Sequence, residues 1–244
     1  MNQFRPGGFS MLPLVVKNIL IINALFFLGA MAFESKFGMD LSDHLGLFHY
    51  KSNEFHFYQY ITYMFMHANI SHLFFNMFAF WMFGNVLENV WGSKRFLFYF
   101  FVTGIGAALI QFLVAYIRIQ SVLPDLSMEQ INIVMNEGFN VLRMHKNYSD
   151  PSMATLNDIM NTPMVGASGA VFGVLLAFGM LFPNTMLYVF FAIPIKAKYF
   201  VMIYGAIELY SGIANNPNDN VAHFAHLGGM LFGYFLIVYW RKEK

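Results

Sequence analysis

Three short segments of this chain place residues capable of acid–base or nucleophilic chemistry inside stretches that are otherwise fit for lipid. They are HANISHLFFN at 67–76, GASGAVFG at 166–173 and AHFAHLGGMLFG at 222–233. Polar side chains within a membrane are costly and usually mark function. A serine and a histidine together supply a nucleophile and the base that activates it. A serine and a histidine inside such stretches therefore suggest nucleophilic catalysis by Ser168 and His226 within a membrane.

The composition supports a membrane location for the whole chain. Of its 244 residues, 58% are hydrophobic and only 11% are charged, whereas a soluble domain carries about 25% charged residues. We therefore predict one integral membrane domain over residues 1–244, in contact with the lipid bilayer. The net charge of +1 argues against nucleic-acid binding. The absence of cysteine excludes disulfides, thiolate metal sites and cysteine nucleophiles.

The apolar runs predict an all-α membrane protein with six spanning helices, since a span needs about 20 mostly apolar residues. The predicted spans are about 13–33, 61–83, 96–118, 164–182, 199–214 and 221–240. The segment 186–195 is apolar but is interrupted by Pro194, so we interpret it as a loop at the membrane face. Two long outer loops, 34–60 and 119–162, connect the spans, and loops of this length are usually functional or disordered.

The basic residues predict the orientation of these spans. Most lysines and arginines fall at one face of the predicted bundle, and acidic residues dominate the other. The basic face carries Arg5, Lys17, Lys94, Arg95, Lys196, Lys198, Arg241, Lys242 and Lys244. Basic loops remain in the cytoplasm, so we predict a multi-pass protein with both termini cytoplasmic. The apolar run at 19–33 lacks a cleavage site and is interpreted as a retained span.

This topology brings the candidate residues to one level. The second, fourth and sixth spans enter from the outer face, so Ser168 and His226 both lie roughly 6–8 Å below its rim at about 1.5 Å per residue. Ser168 stands near a predicted helix start, where free backbone N–H groups favour developing negative charge. The small residues around it also fit a simple helix-packing motif. Glycines at 169 and 173 and at 229 and 233 would allow close contact between the fourth and sixth spans.

His72 and Asn76 lie four residues apart on one helical face. Both side chains can donate hydrogen bonds, so they are candidates to stabilise an oxyanion, although interhelical bonding is an alternative role. His67 and His223 are secondary candidates, nearer the rim. We assign Glu208 a structural role and expect no carboxylate partner for His226, which predicts a dyad and not a triad.

A metal enzyme or metal transporter is a competing interpretation. His67, His72, His223 and His226 could together bind zinc. However, the sequence contains no HExxH motif and no carboxylate at a ligand spacing. These absences disfavour a metal site.

Taken together, these motifs resemble those of the rhomboid intramembrane serine proteases. The matching strings are GASG at 166–169, HxxxN at 72–76 with the upstream His67, and HxxGxxxG at 226–233, supported by FGNVLENVWGSKRF at 83–96 and QYITYMFMH at 59–67. The similarity covers roughly 10–118 and 160–240. It implies a rhomboid-like bundle of six transmembrane helices.

The resemblance also implies roles and a substrate class. Ser168 corresponds to the nucleophile and His226 to the base. His72, Asn76 and the Ser168 backbone N–H correspond to the oxyanion hole, with Gly166 at the motif glycine before the serine. The implied activity is endopeptidase cleavage of single-span membrane proteins near the outer face, through an acyl-enzyme. The resemblance implies no cofactor and no metal. The natural substrate and the oligomeric state stay undetermined.

Two further expectations follow from the resemblance. The supporting strings look bacterial, which predicts the bacterial inner (cell) membrane. The family's Trp-Arg pair in the first outer loop is not evident, and Phe57-Tyr58 stands near its expected place, so the anchoring of that loop is open. The alternative function is a non-catalytic rhomboid-like chaperone that binds client helices in the cavity where a protease would bind its substrate.

Overall fold

The computed structural model describes residues 10–189, 192–214 and 221–242, and it is predominantly helical. Within these residues the elements are α1 (Leu14–Phe37), α2 (Ser42–Leu45), α3 (Gln59–Thr62), α4 (Ile70–Trp91), α5 (Ser93–Val122), α6 (Met128–Arg143), α7 (Pro151–Asn161), α8 (Ser168–Leu181), β1 (Met186–Val189), β2 (Ile193–Lys196), α9 (Ala197–Ala214) and α10 (His223–Lys242). The predicted all-α membrane bundle is confirmed.

Helices α5, α8 and α10 form the centre of the bundle, and small residues allow their close approach. A Cβ atom on Gly229 of α10 would overlap the carbonyl oxygen of Gly169 in α8. The other predicted glycine pair does not meet in this way. Gly173 faces Thr103 and Gly233 faces Tyr99, both on α5, and the Tyr99 hydroxyl donates to the Gly173 carbonyl at 2.8 Å. The glycines therefore bring three helices together, not only two.

A buried carboxylate fastens α1 to α4. Glu88 of α4 is 2% exposed, and its two carboxylate oxygens accept hydrogen bonds from the backbone N–H groups of Val15 and Val16 at 2.9 and 2.8 Å. Ser93 also donates its hydroxyl to Glu88 at 2.6 Å. The first N–H groups of a helix have no partner within the helix, and its dipole favours an anion there. Glu88 therefore caps α1 across the bundle.

The loop before α3 is anchored by one buried amide. Gln59 is fully buried, and its NH₂ group donates to the carbonyls of His44 and Glu54 at 3.2 and 2.9 Å. Its side-chain oxygen accepts from the backbone N–H groups of Phe48 and His56 at 3.3 and 3.1 Å. Phe57, at the place expected for the family's Trp-Arg pair, is exposed. Gln59 supplies the anchor that the sequence left open.

The segment predicted as the long outer loop 119–162 is mostly helical. Helix α5 continues to Val122, and α6 and α7 follow it. Ser127 and Gln130 form a capping box at the start of α6, and the two helices share a small core of their own around Val134, Leu156 and Met160. This second core explains how a polar connection becomes ordered.

The segment 186–195, predicted as a loop, contains a two-stranded antiparallel hairpin. Strands β1 and β2 pair Met186 with Lys196 and Val189 with Ile193. Pro194 lies within β2, and its partner in the register is Tyr188. The hairpin leads directly into α9.

The helix boundaries differ from the predicted spans most at the second span. A helix from residue 61 was expected, but α4 begins only at Ile70 because extended Asn69 caps it, accepting from the His72 N–H at 2.8 Å. Among the described helices, those at Leu14–Phe37, Ile70–Trp91 and Ser93–Asp125 are long and apolar enough to cross a membrane, and Ser168–Leu181 is a shorter apolar helix. The count of six spans stays a prediction.

Candidate active site

The backbone before α8 presents Ser168 at a helix start. Met164 pairs with Leu47 in both directions at 2.9 Å, and the Gly166 N–H donates to the Tyr63 carbonyl at 2.9 Å. Gly166 has φ of +121°, a conformation that L side chains rarely adopt. The chain then turns into α8, whose first residue is Ser168. The serine thus lies where backbone N–H groups lack partners within the helix.

His226 contacts Ser168 from the neighbouring helix. The imidazole Nε2 lies 2.8 Å from the Ser168 Oγ, a hydrogen-bonding distance. The ring is buried and stacks on Phe172, one turn after Ser168, with centroids 4.3 Å apart and planes at 6°. The structure therefore brings the predicted nucleophile and base into contact, while their catalytic roles stay a prediction.

The other ring nitrogen of His226 has a partner that the sequence did not indicate. The Oε2 atom of Glu208 in α9 lies 2.8 Å from His226 Nδ1. The same oxygen lies 2.7 Å from Nδ1 of His223. The expectation that no carboxylate pairs with His226 is therefore wrong. The only signal in the sequence was that Glu208 is the one acidic residue in the fifth predicted span.

His72 lies over the backbone beside the serine. A Cβ atom on Gly166 would come within 2.9 Å of the His72 Nε2 and 2.8 Å of its Cε1, so only glycine leaves room for this imidazole. The Ala68 N–H donates to His72 Nδ1 at 3.4 Å. A neutral His72 that accepts at Nδ1 carries its proton on Nε2, which is the nitrogen on the Gly166 side. The ring is therefore oriented to donate toward the site.

The remaining predicted residues lie around this centre. Asn76, one turn after His72, lines the same cavity and donates its amide to the His72 carbonyl at 3.1 Å. His67 is buried and reaches the site through His72, with ring centroids 4.9 Å apart at 66°. His223 contacts Glu208, which in turn contacts His226.

A cavity of about 1200 Å³ opens onto these residues. Helices α4, α5, α7, α8, α9 and α10 and the segment 162–166 contribute to its walls, and its lining includes Ser168, His226, His72, Asn76 and Gly166. Phe75, Phe112 and Phe200 give it apolar sides. A cavity with apolar walls and a few convergent polar groups can hold an extended peptide beside Ser168.

The four histidines of the competing metal interpretation do not form one group of closely spaced donor atoms among the described residues. Across the described ranges, the structure contains one group of potential ligands whose donor atoms all lie within 4.8 Å of one another, namely Glu208, His223 and His226. Its 2.7 and 2.8 Å contacts are hydrogen-bonding lengths.

Comparison with known proteins identifies a family match and two proteins of similar sequence. The profile of the Rhomboid domain matches residues 54–121 and 133–243. RHOMBOID-like protein 12, mitochondrial, from Arabidopsis thaliana is 27% identical over 217 residues, covering 88% of this chain and 55% of that protein. An uncharacterized mitochondrial rhomboid protein from Schizosaccharomyces pombe is 33% identical over 89 residues, covering 34% of this chain and 23% of that protein. The chain thus spans about half the length of the plant relative and less of the yeast one.

These relatives correct one expectation. The sequence strings predicted the bacterial inner membrane, with the termini in the cytoplasm. Both relatives are named as mitochondrial, so the bacterial assignment is wrong. A multi-pass integral membrane protein is consistent with the findings.

Proposed function

Because this chain belongs to the rhomboid family, we propose that it is a serine endopeptidase that cleaves single-span membrane proteins within a membrane. The names of its relatives favour a mitochondrial membrane. The observation that carries the proposal is the 2.8 Å contact between Ser168 Oγ and His226 Nε2, beside a cavity large enough for a peptide.

The reaction proceeds in two halves. His226 Nε2 takes the hydroxyl proton as Ser168 Oγ attacks the scissile carbonyl, which forms a tetrahedral intermediate. His226 then gives that proton to the leaving amine, the C–N bond breaks, and an acyl-enzyme remains on Ser168. A water molecule attacks the ester, with His226 again as base, and releases the acid product and the free serine.

The proposal assigns three donors to the negative oxygen of the intermediate. The backbone N–H of Ser168 stands at the start of α8, where the helix dipole adds to its effect. The His72 Nε2–H and the Asn76 amide line the same cavity. In this proposal Gly166 contributes space, since a side chain there would displace the His72 ring.

The proposal is tested with the purified full chain in detergent. A fluorophosphonate probe loses fluoride to an activated serine and forms a stable phosphonyl ester, so peptide mapping identifies the nucleophile. We expect labelling at Ser168, and none in the Ser168→Ala and His226→Ala variants although both fold. Cleavage of a tagged single-span protein should disappear in the same two variants.

The alternative function, a chaperone that binds client helices, gives a different result. In that case the Ser168→Ala variant would keep the full biological activity of the wild type in cells. Equal labelling of the wild type and of Ser168→Ala would also reject the protease assignment.

A further inference from the structure

Glu208 is a buried carboxylate in an otherwise apolar part of α9. It is 7% exposed, and an unpaired charge in such surroundings is strongly destabilising. Its Oε2 atom lies within hydrogen-bonding distance of two imidazole nitrogens, at 2.7 Å for His223 and 2.8 Å for His226. In both contacts the imidazole atom is Nδ1, so the carboxylate contacts the equivalent nitrogen of each ring.

We propose that Glu208 is the positioning residue of His226, so that the site works as a Ser168–His226–Glu208 triad and not as a dyad; this inference rests on the proposed function. A carboxylate is only an acceptor, so His226 donates its Nδ1–H to Glu208. A neutral imidazole has one N–H, and its Nε2 lone pair therefore faces the Ser168 hydroxyl. This is the tautomer that a general base at Nε2 requires.

Glu208 also compensates the charge that forms during the reaction. When Nε2 takes the serine proton, the imidazole becomes a cation 2.8 Å from the carboxylate oxygen. Both side chains are buried, and such a pair is stronger there than in solution. The stacked ring of Phe172 fixes the plane of the imidazole, and Glu208 fixes its rotation within that plane.

His223 completes the arrangement. It precedes His226 by three residues on α10, which places both on one helical face. A carboxylate oxygen has two lone pairs, so Oε2 accommodates both Nδ1–H donors. The second donor keeps the carboxylate in place without occupying the lone pair used by His226.

The test separates a positioning role from a merely structural one. We would measure kinact and KI for the fluorophosphonate probe, together with the thermal midpoint, in wild type, Glu208→Gln, Glu208→Asp and Glu88→Gln. Glu88 is the matched control because it is a similarly buried glutamate whose hydrogen bonds lie elsewhere, at the start of α1.

Glu208→Gln should lower kinact on the order of 10²-fold or more while KI stays within about twofold, as expected when the base loses its orientation. Glu208→Asp should recover part of kinact because it keeps the charge. Glu88→Gln should lower the thermal midpoint and leave kinact unchanged. A kinact for Glu208→Gln equal to that of the wild type would overturn the inference.

A second measurement needs no variant of Glu208. In protein labelled with ¹⁵N-histidine, the neutral His226 ring, assigned by comparison with His226→Ala, should carry its proton on Nδ1. A proton on Nε2 would overturn the inference even if Glu208→Gln fails to fold.

Metal binding by the same three side chains would give a distinct result. If EDTA abolishes labelling of the wild type and Zn²⁺ restores it, Glu208, His223 and His226 are metal ligands and the triad is rejected. If the wild type is not labelled at Ser168 at all, the proposed function itself fails, which is distinct from a labelled enzyme that is indifferent to Glu208.

Discussion

Gly169 and Gly229 are in direct backbone contact, with the Gly169 carbonyl oxygen occupying the position of a Cβ on Gly229. Gly169 directly follows Ser168 on α8, and Gly229 lies three residues after His226 on α10. The separation of the two helices at this point therefore sets the distance between the serine oxygen and the imidazole.

The first prediction concerns this contact. Gly229→Ala should force α8 and α10 apart, since overpacking of this kind costs about 1–3 kcal/mol. A displacement near 1 Å can reduce a rate on the order of 10²-fold, so probe labelling at Ser168 should fall by about that factor. Gly29→Ala is the control, because an added Cβ at Gly29 meets nothing within 4 Å. Equal labelling rates in both variants would contradict the prediction.

The second prediction concerns the oxyanion. His72→Ala should lower the rate of cleavage about 10²–10³-fold, the usual effect of losing one such donor, because its Nε2 lies beside Gly166 near the serine. The thermal midpoint should change little. His56→Ala is a suitable control, since His56 is an exposed histidine on the loop before α3. A His72→Ala variant with the turnover of the control would exclude this role.

The third prediction concerns the loop anchor. Gln59→Leu removes partners from the backbone groups of His44, Phe48, Glu54 and His56. An unsatisfied buried group costs about 1–3 kcal/mol, so the thermal midpoint should fall by several degrees, and proteolysis should begin in the segment 46–58. The matched control is Gln120→Leu, at an exposed position of α5. Identical midpoints for the two variants would mean that Gln59 does not anchor the loop.

The fourth prediction concerns pH. His49, on the loop between α2 and α3, is 3% exposed, and burial, with a smaller effect of Lys51, lowers its pKa to about 4 from 6.5. Between pH 6.5 and 4 the unfolded chain therefore binds a proton that the folded chain does not, and stability falls as the pH falls. Above pH 6.5 this contribution is constant.

His49→Phe should remove that dependence, because phenylalanine does not titrate and fits among the rings of Tyr50 and Phe112. The measurement is the thermal midpoint of both proteins from about pH 7.5 to about pH 4.5, which covers the interval in which the unfolded histidine takes up its proton. The midpoint of the wild type should drop further than that of the variant. Parallel curves would show that His49 is not buried in its neutral form.

The sequence alone was sufficient to identify the family and most residues of the candidate site. Ser168, His226, His72 and Asn76 stand in short strings whose internal spacing carries the resemblance, and the apolar composition by itself requires a membrane bundle. Motifs of this kind lie within short segments, so they can be recognised without knowing how the helices pack. The sequence did not identify the membrane in which the protein resides. The bacterial assignment rested on sequence strings, and the mitochondrial names of the relatives contradict that assignment.

What the tertiary structure decided depends on contacts between distant segments. Glu208 reaches His226 only because α9 packs against α10, and no spacing rule connects a carboxylate to a histidine 18 residues away in another helix. Gln59 likewise anchors its loop through backbone groups, which have no sequence signature. Helix α4 begins at Ile70 because the Asn69 side chain caps it, a boundary that the apolar run from residue 61 did not predict. Motifs thus identified Ser168 and His226 as candidates, whereas helix packing determined which side chains contact His226.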